Sequence, residues 1–183
     1  MTVAILCTAR RSVYHTLPDV EVYDRLRDAR TFAGGMPVVA HPPCGGWSHY
    51  LRHSAKPGPG EMELGVFCAE RLRECGGVLE QPAFSHLWDA AGLPIPPHRS
   101  GDLVSAEVWQ VWWGHRIRKA TWLCFCGLDP AAIEMPFRLH ARGRDKQVFR
   151  SYRSAAQRSA TPPEFAVWLV AAARLARKAI PAT

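Results

Sequence analysis

Apolar and polar positions along this chain fall into two regimes: brief apolar runs, and longer stretches in which apolar residues recur every third or fourth position. Val3-Ala4-Ile5-Leu6-Cys7 and Val38-Val39-Ala40 are of the first kind, too short for helices and of the composition of buried strands. Val20-Glu21-Val22-Tyr23-Asp24 alternates and predicts a further strand, Val78-Leu79 begins another that ends in Glu80-Gln81-Pro82, and Thr121 to Cys126 makes a last buried one. Between them, Leu64, Cys68, Leu72 and Cys75 share one face of a helix over 61–75, opened by Lys56-Pro57-Gly58-Pro59-Gly60 and capped by Gly76-Gly77.

Further on, residues 84–91 predict a helical turn or two, and Pro94-Ile95-Pro96-Pro97 an irregular connector. Ser105 to Trp113 suits a helix with Ser105 as N-cap and Gly114 as its end. The last stretch, Thr161-Pro162-Pro163-Glu164, has the form of a capping box ahead of Phe165, Trp168, Leu169, Ala172 and Ala176 on one face, so a helix from about 162 to 178 is expected to dock on the sheet. Strands alternating with helices predict an α/β fold: a Rossmann-like, three-layer arrangement around a mostly parallel sheet. At 183 residues the chain is expected to form a single domain over 1–183, with 128–158 as a basic, substrate-facing segment without a firm period.

Composition narrows the function. Lys and Arg number 23 against 16 Asp and Glu, a formal charge of +7 that favours a polyanionic partner such as nucleic acid or a nucleotide. No apolar stretch reaches the roughly 18 residues of a membrane span. Six cysteines without a secreted framework, and no charged-then-apolar leader, point to a reduced, cytoplasmic protein. Trp109, Trp112 and Trp113 have the chemistry to stack bases, but aromatic residues at such spacing more commonly fill a core.

The candidate chemistry centres on His41-Pro42-Pro43-Cys44-Gly45-Gly46-Trp47-Ser48. In open α/β sheets ligands bind beyond the carboxyl ends of strands, and here two prolines end a strand and a thiol follows at once. The glycines let a planar substrate approach the backbone. A second strand end delivers Glu80. Asp24 and Asp28 precede the strand at 37–40, where nucleotide-binding α/β folds place a carboxylate for ribose or an exocyclic amine. His115, Arg116, Arg118 and Lys119 form a basic cluster. Zinc held by His41, Cys44, His49 and His53 is a lesser alternative, because the paired-Cys pattern of secure zinc sites is missing.

Together these elements resemble the catalytic core of the cytosine-C5 DNA methyltransferases. Pro42-Pro43-Cys44-Gly45-Gly46-Trp47-Ser48 is similar to that family's Pro-Pro-Cys-x-x-[Phe/Trp]-Ser loop, Glu80-Gln81-Pro82 to its Glu-Asn-Val element, Gly114-His115-Arg116-Ile117-Arg118 to its Gln-x-Arg-x-Arg element, and Ser159-Ala160-Thr161-Pro162-Pro163 to the turn before its last helix. The short format with His41-Pro42-Pro43-Cys44 looks like small phage or prophage accessory proteins. The resemblance implies a methyltransferase-like fold, S-adenosylmethionine as cofactor with Asp24, Asp28 and Thr161 near it, and DNA or a pyrimidine nucleotide as substrate. It implies that Cys44 adds as a thiolate to cytosine C6, its pKa lowered by Arg116 or Arg118, while Glu80 donates to N3. Arg116 and Arg118 then hold O2 or phosphate, and Pro43, Trp47, Ser48, Gln81, His115 and Lys119 contact substrate. Three departures are plain: no glycine lies in Cys7-Thr8-Ala9-Arg10-Arg11-Ser12, no target-recognition domain follows Arg118, and Gln81 replaces the Asn after the acid. The competing expectation is a non-catalytic nucleic-acid-binding protein derived from the same fold.

Overall fold

A computed structural model describes residues 1–50, 53–135 and 160–177. Its centre is a seven-stranded sheet in the order β2-β1-β3-β4-β7-β6-β5, with β1 Val3–Leu6, β2 Val20–Val22, β3 Val38–Ala40, β4 Gly77–Pro82, β5 Arg99–Ser100, β6 Leu103–Trp109 and β7 Ala120–Cys126. Among the described residues three α-helices accompany it: α1 Glu61–Cys75, the single-turn α2 Leu87–Ala90 and α3 Pro163–Arg174. Among the described residues, no helix is long and apolar enough to cross a membrane.

The strands are apolar on both faces because both faces are covered. Ala4, Leu6, Val38, Ala40, Leu79, Cys124 and Cys126 pack with Cys68, Leu72 and Cys75 of α1. Their alternate neighbours Val3, Ile5, Val39, Val78, Leu123 and Phe125 pack with Phe165, Leu169, Ala172 and Ala173 of α3. The period of two thus sorts side chains into two cores with a helix over each. The thiols at 68, 75, 124 and 126 are packing groups, all buried. Trp113 likewise joins the core, its ring against Phe165 and Trp168.

Strands β2, β1, β3 and β4 are mutually parallel, whereas β7 runs antiparallel to β4 and to β6, and β6 to β5. The sheet is therefore mixed, parallel in one half only. Its second half differs from expectation because 103–109 is a strand and not the start of a helix. Its seven residues pair with all of β7, and Ser105, instead of capping a helix, accepts a hydrogen bond from the indole of buried Trp88 (3.1 Å). Helical spacing of Val108, Val111 and Trp112 survives only as a 3-10 turn over Gln110–Trp113. Helix α3 also differs slightly: Pro162 is its N-cap and no side-chain cap forms, so Thr161 does not close the capping box. Of the segment 128–158, residues 136–158 lie outside the described residues, and 130–132 form a 3-10 turn.

One contact sets the spacing of the parallel half. A Cβ on Gly77 would stand 2.0 Å from the Val38 carbonyl oxygen, and the residue has φ +119°. Only glycine lets β4 start against β3 there.

Candidate functional site

Strand order reverses between β1 and β3, since β1 connects forward to β2 on one side while β3 lies on the other. Ligands of open α/β sheets bind in the crevice at such a point. The Cys44 loop leaves β3 here, and β4 runs on beside it with Ala40 opposite Leu79, which sets His41, just past β3, next to Glu80 on β4.

Glu80 is the hub. His41 Nδ1 lies 3.1 Å from Glu80 Oε2, and Gln110 Nε2 donates to Oε1 at 2.9 Å. Lys119 Nζ stands 3.9 Å from the same oxygen. Burial raises the acid's pKa, but Lys119, His41 and Gln110 together outweigh it and hold the carboxyl below its ordinary range. Because an ionised carboxylate only accepts, His41 carries its hydrogen on Nδ1. In the neutral ring Nε2 then accepts from the hydroxyl of fully buried Tyr14 (2.8 Å). The Tyr14 hydroxyl is pushed well above its usual pKa by burial and by the charge of Glu80, so it keeps its proton and donates.

Cys44 sits half-buried in a one-turn loop, its carbonyl accepting from the N–H groups of Trp47 (3.2 Å) and Ser48 (2.8 Å). Two contacts pin that turn to α1. A Cβ on Gly46 would meet Met62 Sδ at 2.3 Å, and one on Gly65 would meet the Trp47 indole nitrogen at 2.5 Å. Gln81 ties it to β4: its buried amide donates to the Pro42 carbonyl (2.5 Å) and accepts from Ser85 Oγ (3.3 Å). Gln81→Leu should leave that carbonyl without its donor and lower stability by about 1–3 kcal/mol. Urea denaturation checks this, and a midpoint equal to wild type would show the loop is held otherwise.

Burial raises the Cys44 pKa, the charge of Glu80 raises it further, and Lys119 partly opposes both. Sulfur and carboxyl therefore lie near enough to feel one another, but the thiol is protonated at neutral pH and the acid is not. The Cys44 pKa is thus shifted up rather than down as the resemblance implied, and Glu80 must gain its proton before it can donate to N3. Among the described residues the cation beside the pair is Lys119. Arg118 is exposed and stacks over Trp109 at 4.8 Å, and Arg116 is exposed and lines a cleft of about 370 Å³ with Trp113, His115 and Thr161. None of Cys44, His41, Glu80 or Lys119 lines that cleft. Trp47 and Ser48 are buried, Trp47 in the α1 core, and Pro43 is half-buried in the turn. The buried His115 ring turns toward the Ile117 backbone.

Sequence reasoning missed Tyr14 and Gln110 as partners of the acid and weighed His41 only as a metal ligand. His41 carried a signal, as the last residue before Pro-Pro-Cys at a strand end. Tyr14 and Gln110 carried none. Both nitrogens of His41 are engaged, and His49 stacks on His86 at 5.7 Å. Among the described residues, no three His, Cys, Asp or Glu side chains are grouped as a metal ion requires.

The residues where S-adenosylmethionine would sit do not fit it. Asp24 Oδ1 accepts from the N–H groups of Leu26 (2.7 Å) and Arg27 (3.3 Å), and Oδ2 faces His15 Nε2 at 3.5 Å. The Leu26 hydrogen bond is the main cause of its lowered pKa. Asp28 caps the 3-10 turn Ala29–Thr31 and pairs with Arg30. After β1, Thr8 is buried, and Tyr14 bridges to His41 across the crevice between β1 and β3.

The depressed acid makes stability pH-dependent. Glu80 has a lower pKa folded than unfolded, so its contribution is present above the unfolded value, about 4.3, and is lost as pH falls through the folded one. Thermal melts of wild type and Glu80→Gln should therefore converge as pH drops below about 4, and parallel curves would refute the assignment. Compared with known protein families, with characterised proteins and with solved structures, the chain matches none.

Proposed function

We propose that this chain is a cytosine-C5 methyltransferase-like enzyme that modifies a pyrimidine in DNA or a nucleotide through a covalent adduct between Cys44 and ring C6. The observation that carries the reading is the convergence of Cys44 and Glu80 from adjacent parallel strands, with His41, Gln110 and Lys119 holding the acid. The protonation states suggest the order of events. The Cys44 proton passes to Glu80 and on to N3 as the S–C6 bond forms. The C5=C6 pair moves to C4=C5, and the C4=N3 pair ends on N3, which takes the proton. Lys119 stabilises the carboxylate before transfer and the thiolate as it forms. The product is an enamine nucleophilic at C5. The methyl donor implied by the resemblance is S-adenosylmethionine, for which Asp24, Asp28 and the Tyr14 bridge leave no cradle at the β1 end.

An experiment that does not require the methyl donor tests this. In D2O, the C5 hydrogen of cytosine in an oligodeoxynucleotide, or of dCMP, should exchange in the presence of the enzyme, as mass spectrometry would read. No exchange on either substrate, with or without added S-adenosylmethionine, would overturn the proposal. It would favour the alternative of a non-catalytic nucleic-acid-binding protein, to which the raised Cys44 thiol already lends weight. That alternative predicts salt-sensitive binding indifferent to Cys44.

A further inference from the structure

Four aromatic or imidazole rings gather beside the Cys44 loop without taking part in the Glu80 network. His49 and Tyr50, which follow the Cys44 turn, meet edge to face at 5.2 Å; His49 stacks on His86 at 5.7 Å and lies 6.4 Å from Phe84. Phe84 leans on Trp122 (5.1 Å), which in turn packs on Trp88 in the core (5.6 Å). A hydrogen bond from the His86 N–H to the Trp47 carbonyl (2.9 Å) fastens the two loops that carry the rings. Although backed by the core, the outer rings face water: Tyr50 is 75% exposed and Phe84 51%. Phe84 is also held at φ +63°, a left-handed backbone that is strained for a bulky side chain. Burial does not explain this strain, since the ring it presents is half in solvent. Residues strained in this way commonly serve a site.

We propose that this surface is a stacking platform for single-stranded DNA, on which bases flanking the target pyrimidine lie against Phe84 and Tyr50 while the target enters toward Cys44. Exposed Lys56, between the Ala55 and Pro57 that lie against Gly45 and Gly46, and Lys119 beside Glu80 supply cations for a polyanionic strand next to the Cys44 turn. Exposed aromatic rings can stack with any base, provided that base is not already stacked within a duplex. The proposal rests on the cytosine-C5 reading for the target's destination, but its test reads binding alone, so failure of catalysis and failure of the platform are distinguishable.

Fluorescence anisotropy with a labelled cytosine-containing 12-mer makes the measurement. Phe84→Leu with Tyr50→Leu, which keeps apolar bulk and removes the rings, should weaken binding roughly thirtyfold or more, each lost base–aromatic stack being worth at least about fivefold. Phe84→Trp should retain it, and melting temperatures should stay near that of wild type. An abasic strand of equal length and a matched duplex should both compete poorly. Unchanged affinity in the double Leu variant, or an abasic strand or duplex competing as well as the single strand, would overturn the platform.

Discussion

Cys44→Ala should abolish deuterium exchange at cytosine C5, and Glu80→Gln should reduce it by about two to four orders of magnitude, the usual worth of a positioned proton-transfer group. The two losses differ in kind. Without sulfur no bond to C6 forms, whereas without the carboxylate the thiol still collides with the ring but has nowhere to send its proton. Since both residues serve one step, the double variant should be no slower than Cys44→Ala alone. Lys119→Met provides the finer reading. Lys119 lowers the acid's pKa and opposes the rise of the thiol's, so its loss should move both limbs of the pH–rate profile to higher pH. A Cys44→Ala protein with wild-type exchange would end the covalent mechanism, and a Lys119→Met profile unmoved along the pH axis would end the role given to the cation.

Gly77→Ala should prevent folding. The added Cβ would lie 2.0 Å from the Val38 carbonyl oxygen, with the Val38 nitrogen at 2.8 Å. Val38 cannot retreat, because β3 is hydrogen-bonded on its other side to β1. The φ of +119° adds backbone strain to the clash. A domain stable by about 5–15 kcal/mol does not absorb the separation of two central strands, and the expected loss exceeds about 4 kcal/mol. Gly35→Ala is the matched control: its φ is +86° but nothing lies within 4 Å of a Cβ there, so only the left-handed strain of about 1–2 kcal/mol remains. Far-UV circular dichroism and urea midpoints compare them. A well-folded Gly77→Ala protein would show that β3 and β4 have more freedom than their pairing implies.

Where a segment's burial partners are local or obvious, its form was legible in the sequence. Helix α1 ends where Gly76 ends the apolar stripe, and β1 and β3 are short apolar runs that any core would bury. The Cys44 turn was legible because prolines and glycines act on the backbone within a residue or two of themselves. The segment 103–109 was not, because its alternation is imperfect and the deciding interaction, a full ladder with β7, is formed by residues more than ten positions later. The same holds at the site. Sequence order placed a thiol and a carboxyl at two strand ends. Only the packed chain decided that Lys119, rather than either arginine, reaches the acid, that Tyr14 and Gln110 close around it, and that Asp24 turns back on its own loop. Backbone preferences act over a few neighbours and are written locally. Which charge meets which depends on how strands line up across the sheet, and that registry is set by the two cores that α1 and α3 close.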